Sequence, residues 1–130
     1  MTLAALEQIE DFVPQLASGT FQRHKQDQWL ANTWRKRGSV DGKIDWRMSA
    51  HSIHNLVRGL AKPYVGAHFI VDGQEIKVWK AAVVSDAPIN MEPGKILKQT
   101  DSCPVVKCGE DAICLLVTEP SYELIVGSYL

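Results

Sequence analysis

Four histidines, three cysteines and two gatherings of charge are the residues of this 130-residue chain with chemistry to offer. His51 and His54 stand three apart, on one face if the segment is helical. A zinc site needs further ligands, and no cysteine or carboxylate converges on the pair by spacing, so no metal is expected. His24 and His68 read as surface or strand residues. Cys103, Cys108 and Cys114 fit no zinc pattern, and an odd count without a secretory leader supports no disulfide framework. They read as small buried hydrophobes. Asp41 and Asp45 could be paired carboxylates, but an Asp41-Gly42 turn, with glycine tolerating φ > 0, explains them more simply. There is no Gly-rich phosphate loop, no GxSxG elbow and no HExxH, and no catalytic set is found. Arg35, Lys36 and Arg37 form the densest basic cluster. It reads either as a solvated surface run or as a contact for phosphate or an acidic partner. Arg58 lies on a helix that must pack, and a salt bridge or a bond to loop carbonyls is its expected role.

The elements that would position these groups begin with Ser49 to Lys62. Ser49 is a suitable N-cap, and Ile53, Leu56, Val57 and Leu60 repeat at helical spacing to give one buried stripe. Pro63 ends this helix, and Gly66 supplies the turn into the strand AHFIV. Residues 2–18 read as an amphipathic helix capped by Thr2, with Leu3, Leu6, Ile9, Val13 and Leu16 near one face and a kink or break at Pro14. Residues 19–45 read as a basic linker with Trp29 and Trp34 as anchors. Beyond the central helix the period changes to two. Asp72-Gly73 joins AHFIV to QEIKVWKAAVV as a hairpin, Pro93-Gly94 turns the chain into KILKQ, and CPVVKC and AICLLVT follow. Phe69 and Trp79 read as core. The fold class is α+β: an N-terminal amphipathic helix and linker, then a helix leading into a small antiparallel OB-like barrel of about five strands, whose closure leaves no open edge.

The composition is 45% hydrophobic and 22% charged with a net charge of −1. These values suit a globular domain and give no global pull towards nucleic acid. No apolar run is long enough to span a membrane, and the acidic start is unlike a secretory leader, so a cytoplasmic location is expected.

Three segments carry a family resemblance: WRKRGSVDGKIDW (Trp34 to Trp46), SIHNLVRGLAKPYVGAHF (Ser52 to Phe69) and GQEIKVWKA (Gly73 to Ala81). Together with EPGKIL and VKCGEDAICLL they resemble the C-terminal part of the folate-dependent formyltransferases, the group that acts on methionyl-tRNA or on amino-sugar nucleotides. The resemblance implies an OB-like barrel whose structural positions are Asp41, Gly42, Asn55, Arg58, Pro63 and Gly66. Val65 stands where the family's Pro-Tyr-Pro-Gly-Ala loop has its second proline, which implies a less rigid loop. The resemblance also implies that catalysis, with 10-formyltetrahydrofolate as cofactor, belongs to an N-terminal domain that these residues do not contain. On this reading residues 1–36 are a helix and linker that pack on that catalytic domain, and 37–130 are the barrel. The chain alone holds no cofactor and transfers no formyl group. The single basic cluster points to an amino-sugar nucleotide as acceptor, with tRNA as the alternative. A free-standing nucleic-acid-binding module and a dimerisation domain that pairs through the first helix, giving a homo-oligomer, are the competing readings.

Overall fold

The computed structural model describes residues 2–100 and 103–130, with the side chain of Thr2 excepted, so the expected Thr2 cap lies outside the described residues. The chain forms two units, one ending at Arg35 and the other spanning Lys36–Leu130.

The first unit contains α1 (Thr2–Ser18), which runs through Pro14 as one element and is not split there. Its stripe of Leu3, Leu6, Ile9, Val13 and Leu16 is exposed, as is Phe12. Trp29 and Trp34, read as anchors, are 96% and 79% exposed. The Trp34 indole instead donates to the Asn32 side chain at 2.9 Å.

In the second unit, α2 (Ala50–Gly59) starts where Ser49 accepts from the Ser52 N–H at 3.2 Å. It ends at Gly59 with Leu60 as C-cap, before the expected stop at Lys62. The Gly66 N–H donates to the Leu60 carbonyl at 3.0 Å, so the helix end is satisfied by the loop that follows it. Ile53, Val57 and Leu60 are buried, and Leu56 is half-buried at the edge of the stripe.

Five strands follow: β1 (Ala67–Val71), β2 (Gln74–Val84), β3 (Ile96–Gln99), β4 (Pro104–Lys107) and β5 (Ala112–Glu119). They form one antiparallel sheet in the order β1-β2-β5-β4-β3. The β1–β2 hairpin turns on Asp72 and Gly73 at φ 50° and 77°, the left-handed pair that a two-residue hairpin requires. Gly94, at φ 87°, provides the matching freedom before β3. This is the expected α+β class with five antiparallel strands; among the described residues β1 and β3 are not paired with each other, and each outer edge is met by another segment. The outer side of β1 meets Lys43, and the Ile44 N–H donates to the His68 carbonyl at 2.7 Å. Along β3 the C-terminal tail takes this place: Ile96 donates to Ser128, Gly127 donates to Ile96, and Lys95 bridges Tyr129.

The main core lies between α2 and one face of the sheet, and includes Ile44, Trp46, Ile53, Val57, Phe69, Ile76, Val78, Val106, Ile113 and Leu115. Trp46 meets Phe69 edge-on, with ring centroids 5.6 Å apart. Ile44 shows that the end of the 19–45 stretch read as linker already belongs to the second unit. A second cluster is built from Cys103, Val105, Ala112 and Cys114, with Val84, Ala87, Leu97 and Leu116 packed against it.

The cysteines are buried as expected, but Cys103 and Cys114 are joined in a disulfide with a Cα–Cα distance of 5.7 Å. The β4–β5 pairing, Val105 opposite Cys114, brings the two together, which spacing along the chain does not reveal. Cys108 is free and fully buried, and burial pushes its thiol up to about 12. Lys107 is also buried; its ammonium donates to the carbonyls of Cys108 at 2.5 Å and Asp111 at 3.2 Å, pinning the β4–β5 turn.

Candidate functional site

The basic cluster is divided by the fold: Arg35 closes the first unit, while Lys36 and Arg37 open the second and are exposed. Arg37 and Asn55, far apart in sequence, line one groove of about 320 Å³ with Met48, Ser52, Leu56 and Gly59. Met48, Leu56 and Leu60 supply an apolar floor, and Arg37 and Asn55 supply a cation and an amide at the rim. Neither side chain has a hydrogen-bond or ion-pair partner among the described residues. A Cβ at Gly59 would meet nothing within 4 Å, so packing does not require glycine at that helical position. An acceptor-rich anionic group is the chemistry this rim accommodates, because a guanidinium and a carboxamide both present N–H donors.

Arg58 is exposed and makes neither the expected salt bridge nor a bond to loop carbonyls among the described residues. Asp41 accepts from the Gly38 N–H at 2.8 Å across the short 3₁₀ turn Ser39–Gly42. Gly42 matters for a different reason from the expected one. Its φ is not positive, but a Cβ would stand 2.5 Å from the Gly66 carbonyl oxygen, so two expected structural positions touch. Asp45 pairs with Arg47, not with Asp41; hydrogen bonds from Arg47 hold its carboxyl down at about 2. Of the two placements expected for His68, surface or strand, the structure has the strand: it is buried in β1, with its Nε2 3.7 Å from Glu75. His51 and His54 gather no further ligands, and no metal-binding group occurs among the described residues.

Trp79 was expected in the core and is half-buried on the outer side of the sheet. Gly66 packs against its ring, and Lys62 lies 4.7 Å from the ring centroid. The indole N–H donates to Glu119 at 2.7 Å, and Lys62 pairs with the same carboxylate at 3.3 Å. Pro63 follows Lys62 through a cis peptide bond in this loop. The tryptophan hydrogen bond and then Lys62 hold Glu119 below the usual carboxylate range. A lowered carboxyl contributes above its unfolded pKa, and that contribution is lost as pH falls through the folded value. The Trp79 indole N–H resonance is therefore expected to move only below the ordinary glutamate range of about 4.3. Glu119→Gln should abolish the transition, and an unchanged titration in that variant would exclude this assignment.

The second unit is thus an α+β domain with a polar-rimmed groove beside α2. The chain belongs to the family "Formyl transferase, C-terminal domain", whose profile matches residues 38–123. It is 47% identical over 91 residues to methionyl-tRNA formyltransferase of Caldanaerobacter subterraneus subsp. tengcongensis, covering 68% of this chain and 28% of that protein. Among solved structures it is similar to HypX from Aquifex aeolicus in complex with tetrahydrofolic acid, with a TM-score of 0.60 at 18% identity over 85% of this chain and 19% of that one. The A392F-I419F variant of the same protein gives a TM-score of 0.59 at 18% identity, covering 84% of this chain and 19% of that one. These structural likenesses speak for the fold. No helix among the described residues is long and apolar enough to cross a membrane.

Proposed function

We propose that this chain is the accessory C-terminal domain of a 10-formyltetrahydrofolate-dependent formyltransferase, and that its α2 groove holds a phosphate of the formyl acceptor. The supporting observation is the meeting of Arg37 and Asn55, both without partners among the described residues, at the rim of one groove. Catalysis and folate belong to an N-terminal domain, against which the exposed stripe of α1 packs. Lys36, next to Arg37 in the chain and exposed, is a further contact for the same acceptor, and Arg35 is assigned to it on sequence proximity alone. Because a 47% identical relative is a methionyl-tRNA formyltransferase, an aminoacyl-tRNA is the acceptor favoured here. The net charge of −1 supports the second reading, an amino-sugar nucleotide.

Fluorescence titration of the isolated chain with tRNA in moderate salt separates the two. Arg37→Ala is expected to weaken tRNA binding about fivefold and to lower the salt slope by about one, as loss of one phosphate contact does. Absence of salt-dependent tRNA binding, with α2 resonances moved by a nucleotide sugar, would transfer the assignment to the second reading. Incubated with 10-formyltetrahydrofolate and either amine acceptor, the isolated chain should show no turnover; robust transfer would overturn the accessory role.

A further inference from the structure

We infer that Cys103 and Cys114 form a thiol–disulfide switch that fastens the start of β4 to β5 and sets the tightness of the second apolar cluster, whichever acceptor the enzyme serves. Three observations on these residues carry it. First, the two sulfurs are bonded, yet neither residue is fully sealed, with 5% and 8% exposure against 0% for Cys108. A small thiol can therefore reach the pair during minor opening while Cys108 stays shielded. Second, the Thr100 hydroxyl donates to the Cys103 carbonyl at 2.8 Å and lies 3.5 Å from the Cys103 sulfur. Rotation of the hydroxyl turns its proton towards a thiolate formed at Cys103. Third, the pair shares its cluster with Val84, Ala87, Leu97, Val105 and Ala112, which also line an apolar cavity of about 300 Å³ beneath the loop after β2. A change at the sulfurs thus reaches the loop and the start of β4 directly.

The exchange balances with a low-molecular-weight thiol such as glutathione as reductant. Its thiolate attacks Sγ of Cys114, the more exposed residue of the two; the S–S bond breaks, and Cys103 leaves as a thiolate that accepts a hydrogen bond from Thr100 and then a proton. A second glutathione thiolate attacks the mixed disulfide, releasing the Cys114 thiolate, which takes up a proton, and one glutathione disulfide. Two electrons pass from two glutathione molecules to the protein, and glutathione disulfide drives the reverse.

The chain, equilibrated in glutathione buffers of graded ratio, is labelled with a maleimide under native conditions and weighed. Two labels are expected to appear together as the buffer becomes reducing while Cys108 stays unlabelled. Reduction should lower the melting temperature by about 10 °C, the scale for removing a short-loop disulfide. Amide exchange should rise at least tenfold at Val105 and Val106, with little change in α2. Cys108→Ser should retain the whole response, and Cys114→Ser should abolish it. Either of two results overturns the inference: three free thiols in glutathione disulfide, or a disulfide that yields to glutathione only after global unfolding. Both are read on the wild-type chain, so a variant that fails to fold leaves the test intact.

Discussion

Gly109→Ala is expected to cost about 3 kcal/mol of folding stability, read as a lowered urea midpoint with an unchanged slope. Gly109 lies in the β4–β5 turn, and its N–H donates to the carbonyls of both Trp46 and Met48 at 2.9 Å. A Cβ there would overlap the Arg47 carbonyl and stand 3.3 Å from that of Met48. The obstacle is backbone, which has no rotamer by which to yield. Relief requires withdrawing the turn from the entry to α2, where Ala50 donates to Glu110 at 3.0 Å. Gly38→Ala is the matched control, because nothing lies within 4 Å of the added carbon; it should stay within about 0.5 kcal/mol of the parent. Equal effects at the two positions would refute the steric argument.

Trp46→Ala should be costlier still, about 4 kcal/mol, within the range for emptying a large aromatic site. Trp46 is buried against Phe69, with Gly94 packed close to its ring, and its carbonyl accepts from Gly109. The cavity would open where the segment before α2, β1 and the turn before β3 converge. Against a total stability of roughly 5–15 kcal/mol for a domain of this kind, the variant should be partly unfolded at 37 °C. Trp46→Phe keeps most of the apolar volume and should cost about 1.5 kcal/mol. Thermal unfolding followed by far-UV circular dichroism measures both. A loss below about 1 kcal/mol for the alanine variant would show that this convergence is not part of the main core.

The fold was legible where local chemistry and global packing agree. Ser49 and the spacing of Ile53, Val57 and Leu60 announce α2, and Asp72-Gly73 announces the hairpin, because each signal lies within a few residues of its effect. Gly42 was recognisable as structural, but its reason lies in the approach of Gly66, which only the folded chain creates. The disulfide was hidden for the same cause: cross-strand register, not spacing, decides which cysteines meet. Trp79 was misplaced because alternation assigns faces but does not say which face α2 covers. As for the groove, Arg37 and Asn55 were each singled out, while their meeting depends on how the chain enters the domain.

The two outer strands carry a further consequence. An unpaired strand edge is a template on which a second chain can grow by backbone hydrogen bonding, the first step towards ordered aggregates. Along β3 that template is occupied by residues Gly127 to Tyr129 of the same chain, whereas β1 is met, among the described residues, only near His68 and leaves Ile70 half exposed. The solubility of the sheet is thus guarded unevenly, with the last few residues acting as a self-supplied stopper on one side.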